Sequence, residues 1–186
     1  MPWEFTDTWD WAAFFLAVVG FVGFLMAIQP FTQAIWGKPR IIVETGAGNL
    51  DNNHPYLEFV IVNEPIDGGL LGFLGVARDT ADEIFAMINI KEYTTNREIV
   101  PRDFAKLVRR GSGVNGTQRI SLPASVMGAS AAVVIQGDDA IIGAVEGTPH
   151  LSTGTYLAEI GIAGLKKPVH FSAKFTIAAN GKFRWG

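Results

Sequence analysis

The sequence predicts an all-β domain, built as an antiparallel sandwich, behind one N-terminal transmembrane α-helix. Three observations carry this prediction: an uncharged apolar stretch near the N-terminus, later segments that alternate apolar and polar residues, and no long amphipathic helical pattern between them. The chain has 186 residues, which suits one domain plus a smaller element. It has no cysteine. Disulfides, thiolate metal sites, iron–sulfur clusters and cysteine nucleophiles are therefore excluded.

The first element is the apolar stretch. Every residue from Trp11 to Ile28 is apolar, and no charge occurs between Trp11 and Gly37. About 20 apolar residues cross a bilayer core of roughly 30 Å as a helix. The residues before the stretch include acids and no Lys or Arg, unlike the positive start of a signal peptide. We expect a retained helix at 11–36 after a short flank at 1–10, with a kink or an early end near Gln29 caused by Pro30.

Tryptophans and cations mark the two ends of this helix. Basic residues follow it, whereas only acids precede it, and Lys and Arg accumulate on the cytoplasmic side. We predict an outside N-terminus and a cytoplasmic β-domain at 37–186, in a bacterial inner or intracytoplasmic membrane; two cations leave the opposite topology open. The expected interface residues are Trp3, Trp9, Trp11, Trp36, Lys38 and Arg40.

One side of the helix collects small residues when it is drawn at 3.6 residues per turn. Small side chains allow a second membrane helix to approach closely, although chance gives a similar stripe because Ala and Gly are common in such helices. The predicted helix-packing residues are Ala13, Ala17, Gly20, Gly23, Phe24 and Ala27. The span contains no ionisable residue, so the helix is predicted to be an anchor and not an ion path or a histidine-ligated haem site.

The remaining elements read as strands. The clearest alternates apolar and polar residues over 169–177, and Asn180-Gly181 then supplies a turn that returns the chain as a short hairpin at 182–185. Turn-forming clusters separate most of the others. Further strands are predicted at 40–45, 56–63, 83–94, 117–122, 131–136, 140–145 and 155–162. Seven or more short strands of this kind favour an antiparallel sandwich.

The run from Leu151 to Ile162 reads LSTGTYLAEIGI. It resembles the late strand of immunoglobulin-like and fibronectin type III-like domains, where a Leu-x-x-Gly-x-Tyr-x-Ala pattern carries a tyrosine corner. The resemblance implies that Tyr156 buries its ring and hydrogen-bonds a nearby backbone group. The chain departs from antibody-type domains because it lacks both cysteines and an evident core tryptophan. Such folds serve many functions, so the resemblance implies a fold and no activity.

A basic region lies between residues 97 and 119, which contains six basic residues and two acidic ones. It could lie against anionic headgroups or an acidic partner, or form an ordinary solvated face. The stretch 102–110 is predicted to form a short helix with Phe104, Leu107 and Val108 inward. Nucleic acid is not an expected partner, because overall basicity and interleaved aromatics are missing. The candidate contact residues are Arg97, Arg102, Lys106, Arg109, Arg110 and Arg119.

An apolar region lies at 68–76, which is too rich in glycine for a stable helix. It could dip into the membrane interface or fill a groove on a partner, and the alternative is a buried connection or a bulged core strand. Its glycines match no dinucleotide-binding or Walker motif. The candidate contact residues are Leu70, Leu71, Phe73 and Leu74.

Catalytic and cofactor patterns are missing from the sequence. Its three histidines lack metal-ligand spacing, and no serine lies in a nucleophile elbow. We therefore expect a non-catalytic accessory subunit without a cofactor, which contacts other integral membrane subunits and the lipid bilayer in a respiratory, photosynthetic or transport complex. The alternative is a membrane-tethered module that binds a soluble protein, a peptide or an anionic lipid surface.

Overall fold

A computed structural model describes residues 8–50, 54–66, 68–109, 117–124, 130–136 and 151–186. The chain divides into two compact units. The first, which we call the helix unit, comprises Met1–Lys38 and Ile66–Arg78. The second, the β unit, comprises Pro39–Pro65 and Asp79–Gly186.

The helix unit contains a long helix, α1 (Thr8–Trp36), and a short one, α2 (Gly69–Phe73). Helix α1 is long and apolar enough to cross a membrane, and none of its span is buried. The expected early end near Gln29 is wrong, because Pro30 lies inside the helix, which continues to Trp36. Proline is tolerated in this way in apolar helices, where neighbouring groups compensate for the lost backbone donor.

The regular elements described in the β unit are all strands, and they form two antiparallel sheets. One sheet has the order β1-β2-β7-β5, and the other has the order β10-β9-β8-β3-β4, with β6 also paired to β3. The strands are β1 (Ile41–Leu50), β2 (His54–Asn63), β3 (Ala81–Glu92), β4 (Glu98–Ala105), β5 (Val108–Arg109), β6 (Ile120–Leu122), β7 (Ser130–Gln136), β8 (Gly154–Ala163), β9 (Val169–Ile177) and β10 (Phe183–Trp185).

Alternation along the strands produces the core of this unit. On β3, every second residue from Ile84 to Ile90 is fully buried, and β8 has the same pattern from Tyr156 to Ile162. Side chains of successive strand residues point to opposite faces, so one face of each strand is apolar and the other faces outward. The inward faces of both sheets contribute to a single apolar cluster.

Aromatic rings from the two sheets contact each other in this cluster. Phe59 on β2 lies 5.9 Å from Phe171 on β9 and 5.0 Å from Trp185 on β10, measured between ring centroids. The indole N–H of Trp185 donates to the carbonyl of Gly46 on β1 at 2.7 Å. Trp185 thus supplies a tryptophan to the core from the last strand, where the sequence pattern did not reveal one.

The predicted local structure around Tyr156 is confirmed. Its ring is buried and stacks on Phe175 at 5.4 Å, and its hydroxyl donates to the carbonyl of Ser152 at 2.7 Å. The predicted hairpin is also confirmed, because β10 pairs with β9 and Gly181 has a φ of +73° in the turn.

Two local predictions are wrong. The stretch 102–110 is not helical: residues up to Ala105 belong to β4, which pairs with β3, and this pairing overrides helix propensity. Ala105 and Leu107 are buried two residues apart, as in a strand, and Phe104 points outward, where it packs on Phe85.

The second wrong prediction concerns the end of the first strand, which the sequence placed at residue 45. Residues 46–50 instead continue β1 in unbroken register with β2. Glycine at position 46 makes room for Glu58, because a Cβ there would lie 2.8 Å from that carboxylate. The predicted strand at 140–145 lies outside the described residues.

Candidate functional site: the exposed helix and its apolar segment

The predicted packing face of α1 is open to its surroundings. A Cβ added at Gly20 or Gly23 would meet nothing within 4 Å. All side chains of the predicted face are exposed: Ala13, Ala17, Gly20, Gly23, Phe24 and Ala27. Within the helix unit, this side of the helix is therefore available for another molecule.

The expected interface residues lie at both ends of α1. Trp9 is exposed, and Trp11 contacts the rings of Phe14 and Phe15 at 6.3 and 6.4 Å. Trp36 and Lys38 at the other end are also exposed. The remaining two predicted residues differ in kind: Arg40 forms an ion pair with Glu64 at 3.0 Å in the β unit, and Trp3 lies outside the described residues.

The apolar segment, residues 66–78, folds as part of the helix unit. Leu70 and Phe73 are each 72% exposed, Leu71 is half-buried and Leu74 is buried. The alternative of a bulged core strand is wrong, because the segment contains a helix and no strand. The alternative of a buried connection holds only for Leu74 and Val76. Its five-residue helix α2 also differs from the expectation that glycine prevents helix formation, and Gly68, Gly69 and Gly75 keep positive φ at its ends.

Two polar side chains connect the apolar segment with α1. The amide of Gln33 donates to the carbonyl of Ala77 at 2.7 Å and accepts from the N–H of Ala77 at 3.1 Å, so it pairs with the backbone as a neighbouring strand would. The guanidinium of Arg78 donates to the carbonyls of Trp36 at 3.1 Å and Lys38 at 3.0 Å. A cation at this place satisfies carbonyls that a helix C-terminus leaves unpaired and favours the negative end of its dipole.

The apolar segment also approaches the middle of α1. A gap of about 170 Å³ is lined by Phe73 and Leu74 on one side and by Val22, Leu25, Met26 and Gln29 on the other. At 3.6 residues per turn, these helix residues and Gln33 lie roughly opposite Gly20 and Gly23. Within the described residues of the helix unit, the apolar segment therefore covers one side of the long helix and leaves the small-residue side open.

Comparisons with protein-family models, curated proteins and solved structures found no match.

Sequence reasoning missed Gln33 and Arg78 as positioning residues. A glutamine near the end of an apolar helix resembles ordinary interfacial polarity, and the partner of each side chain lies at least 40 residues away along the chain. The sequence does contain one feature that the two segments share. Residues 68–77 carry no charge and are followed by Arg78, just as the uncharged stretch of α1 is followed by Lys38.

The six cations of the basic region do not all lie on one sheet. Arg97 ends the turn after β3, Arg102 projects from β4 and half-buried Lys106 follows that strand. Arg109 lies on β5 in the other sheet, where it donates to the carbonyl of Ser121. Arg119 forms an ion pair with Glu83 at 3.1 Å and lies 5.9 Å from the ring of Phe85. Arg110 lies outside the described residues.

A polar groove occupies the outer face of the sheet that contains β3, β4, β8 and β9. Its volume is about 490 Å³. At its centre, Gly161 lacks a side chain, and a Cβ there would lie 3.3 Å from both a guanidinium nitrogen of Arg102 and the Nδ1 of His170. Lys91 and Glu159 form an ion pair at 2.9 Å along its wall. The groove thus combines a cation and an imidazole above bare backbone.

The groove lacks the ligand set of a metal site. Within the described ranges, no group of three histidine, cysteine or carboxylate side chains is placed to hold a metal ion. The groove presents hydrogen-bond donors from Arg102 and Ser172. The amide N–H of Asn89 already donates to the carboxylate of Glu98 at 2.7 Å, and its buried Oδ1 accepts no hydrogen bond from the described chain. Donors of this type recognise a carboxylate or another oxyanion.

Proposed function

We propose that the protein is a non-catalytic, single-pass membrane-anchored accessory subunit that stabilises a larger membrane complex of the respiratory, photosynthetic or transport kind. The observation that carries this proposal is the open small-residue face of α1, where Gly20 and Gly23 have nothing nearby. In a bilayer, side chains and lipid tails are equally apolar, so close packing of small residues is what brings helices together. The chain's own apolar segment lies against the opposite side and leaves this face for a partner.

The proposed orientation has the N-terminus outside and the β unit in the cytoplasm. It is supported by the cations beside the C-terminal end of α1, since cytoplasmic flanks keep Lys and Arg. Lys38 and Arg40 follow the helix in sequence, and Arg78 adds a third cation, because it hydrogen-bonds the last carbonyls of the helix.

For the β unit we propose an immunoglobulin-like sandwich that braces the aqueous surface of the partner. The strand orders support it. In the order in which they lie in their sheet, β1, β2, β7 and β5 correspond to strands A, B, E and D of the constant-type arrangement. In the other sheet, β3, β8 and β9 correspond to strands C, F and G. The hydrogen bond from Tyr156 to Ser152 at the start of β8 fits the tyrosine corner of this fold.

Association through the helix face can be tested by bulk. The double variant Ala17→Ile, Gly20→Ile fills the small-residue face, and we expect it to lose the membrane subunits that co-purify with the wild-type chain in mild detergent. The matched control is Val18→Ile, an equally exposed position roughly opposite that face. Migration of the wild-type chain as a lone 20.1 kDa protomer in detergent, or unchanged co-purification of the double variant, would contradict the proposal.

Orientation can be tested with a single cysteine, because the natural chain has none. Lys166 is exposed in the loop between β8 and β9, so Lys166→Cys offers an accessible thiol. We expect no labelling by an impermeant thiol reagent in intact cells and full labelling after lysis. Ready labelling in intact cells would reverse the proposed orientation.

The second candidate function is a membrane-tethered binding module, and the polar groove around Gly161 favours it. Its donors fit an acidic group of a soluble protein or peptide. Citrate and inorganic phosphate, titrated into the full chain in detergent, serve as probes by calorimetry. Arg102→Gln is expected to abolish binding, whereas Arg184→Gln, at an exposed cation on β10, is expected to leave it unchanged. Equal loss in both variants would indicate charge attraction without a site.

A further inference from the structure

The apolar segment has the composition of a membrane-inserted turn. Ten consecutive uncharged residues, 68–77, lie between Asp67 and Arg78. Two of its large apolar side chains, Leu70 and Phe73, are 72% exposed, whereas Leu71 is half-buried and Leu74 is buried. Exposed apolar surface of this kind is costly in water and favourable in hydrocarbon.

The backbone of the second half of the segment is paired within the helix unit. The N–H groups of Gly72, Leu74, Gly75 and Val76 donate to carbonyls within the segment. The N–H and carbonyl of Ala77 both pair with the side-chain amide of Gln33. Backbone groups at membrane depth need partners inside the protein, and these bonds supply partners for the N–H groups between Gly72 and Ala77 that they include.

The segment lies beside the part of α1 that would be inside a bilayer. Phe73 and Leu74 face helix residues between Val22 and Gln29, which precede Trp36 by 7 to 14 positions. At 1.5 Å per residue, that is about 10 to 20 Å along the helix from the tryptophan. A hydrocarbon core is roughly 30 Å thick, so this stretch lies inside the core, from the leaflet next to Trp36 to just past its midplane.

We propose that residues 68–77 of the apolar segment form a re-entrant turn that inserts into the hydrocarbon core beside the C-terminal half of α1, with lipid acyl chains covering Leu70 and Phe73. This inference rests on the proposed function, because it requires α1 to cross a bilayer. The hydrogen bonds of Gln33 and Arg78 hold the turn against one side of the helix. The turn therefore does not cover the small-residue face on the other side, which is left for a partner.

Depth measurements on the full chain test this inference. The cysteine-free protein accepts a nitroxide label at Phe73→Cys, at Phe21→Cys on α1 as the membrane reference, and at Lys166→Cys as the water reference. Phe21 is 58% exposed and is not one of the predicted helix-packing residues. In phosphatidylcholine vesicles, collisions with oxygen report lipid exposure and collisions with a nickel chelate report water exposure. We expect the oxygen-to-nickel ratio at Phe73→Cys to match that at Phe21→Cys and to exceed that at Lys166→Cys several-fold.

The possible outcomes separate the two proposals. A water-like ratio at Phe73→Cys with a lipid-like ratio at Phe21→Cys overturns the re-entrant turn and leaves the anchor intact. Water-like ratios at both positions overturn both proposals. Low collision rates with both reagents at Phe73→Cys mean that protein covers the turn, which also overturns lipid as its occupant. Leu70→Cys repeats the measurement at the second exposed side chain, in case a label at position 73 disturbs the turn.

Discussion

The helix unit and the β unit place the same kinds of side chain in opposite surroundings. In the β unit, Ile84, Ile88 and Ile90 are fully buried, and the alternate residues of the strand face outward. In the helix unit, Phe15, Phe24 and Phe73 are all at least 60% exposed. In water, apolar surface is stabilised by burial, and the β unit buries its apolar side chains in this way. The helix unit leaves its apolar rings outside, and its long helix is apolar enough to cross a membrane.

The sharpest way to break this comparison is to place the same polar residue in each unit. Ile88→Asn buries an amide without a partner and removes core contacts, which together cost about 4 kcal/mol of unfolding free energy. Leu70→Asn, on the exposed turn, should leave the urea midpoint of the β-sheet circular dichroism signal unchanged. The full chain in mild detergent serves for both measurements. Equal destabilisation by the two variants would mean that the units unfold together and share one solvent.

Side-chain amides sharpen the comparison further, because each unit has one that links segments far apart in the sequence. In the β unit, Asn63 is fully buried, accepts from the N–H of Arg40 at 3.1 Å and donates to the carbonyls of Asp79 and Leu122 at 2.8 and 3.0 Å. Asn63→Leu leaves all three backbone groups without a hydrogen-bond partner. We expect the free energy of unfolding to fall by about 2 to 3 kcal/mol in the same urea experiment. Asn180→Ala, in the exposed β9–β10 turn, is the matched control and should change little. A loss below that of the control would show that these bonds are replaced by water.

In the helix unit, Gln33 has the corresponding role. Gln33→Ala removes both bonds to Ala77, at about 1 kcal/mol each. We expect a nitroxide at Phe73→Cys to become more mobile by electron paramagnetic resonance, with no change in the urea midpoint of the β unit. Thr32→Ala removes only a bond within α1, from its hydroxyl to the carbonyl of Gln29, and should leave that mobility as it is. Equal mobility in the two variants would remove Gln33 from the anchoring of the turn.

The smallest expected effect concerns the tyrosine corner. Tyr156→Phe deletes the hydrogen bond to the carbonyl of Ser152 and the longer one, at 3.3 Å, with the hydroxyl of Ser152, and it keeps the buried ring. We expect a loss of about 1 kcal/mol, or a fall in Tm of about 3 °C. Tyr93→Phe, at an exposed ring, should leave Tm unchanged in the same calorimetric scan. A null effect at Tyr156 would mean that the corner contributes nothing to the β unit.

Local patterns in the sequence predict most of the strands and the apolar helix, because alternation and continuous apolarity are properties of neighbouring residues. The helix predicted at 102–110 failed because pairing with β3 decides that stretch, and pairing partners lie far away in sequence. The prediction that the first strand ends at residue 45 failed for the same reason. The glycine at position 46 is explained by Glu58, which faces it from β2.

In the candidate site too, the features that depend on local sequence were predicted and those that depend on distant contacts were not. The small-residue stripe on α1 follows from helical spacing alone, so the sequence predicts which residues share that face. The roles of Gln33 and Arg78 depend on contacts with residues far away along the chain, and no local pattern contains them. The polar groove was missed because its members come from four strands, and Gly161 matters for the side chain it lacks.

The order in which the chain visits its two units has a consequence for proteolysis. The chain passes between the helix unit and the β unit at three junctions, next to Lys38, Pro65 and Arg78. A single cut at the Lys38–Pro39 bond would separate α1 from everything that follows, yet residues 66–78 would remain covalently part of the released chain. If that segment is inserted, the cleaved product stays with the membrane fraction. Shedding the β unit as a soluble fragment then requires cuts on both sides of the segment as well.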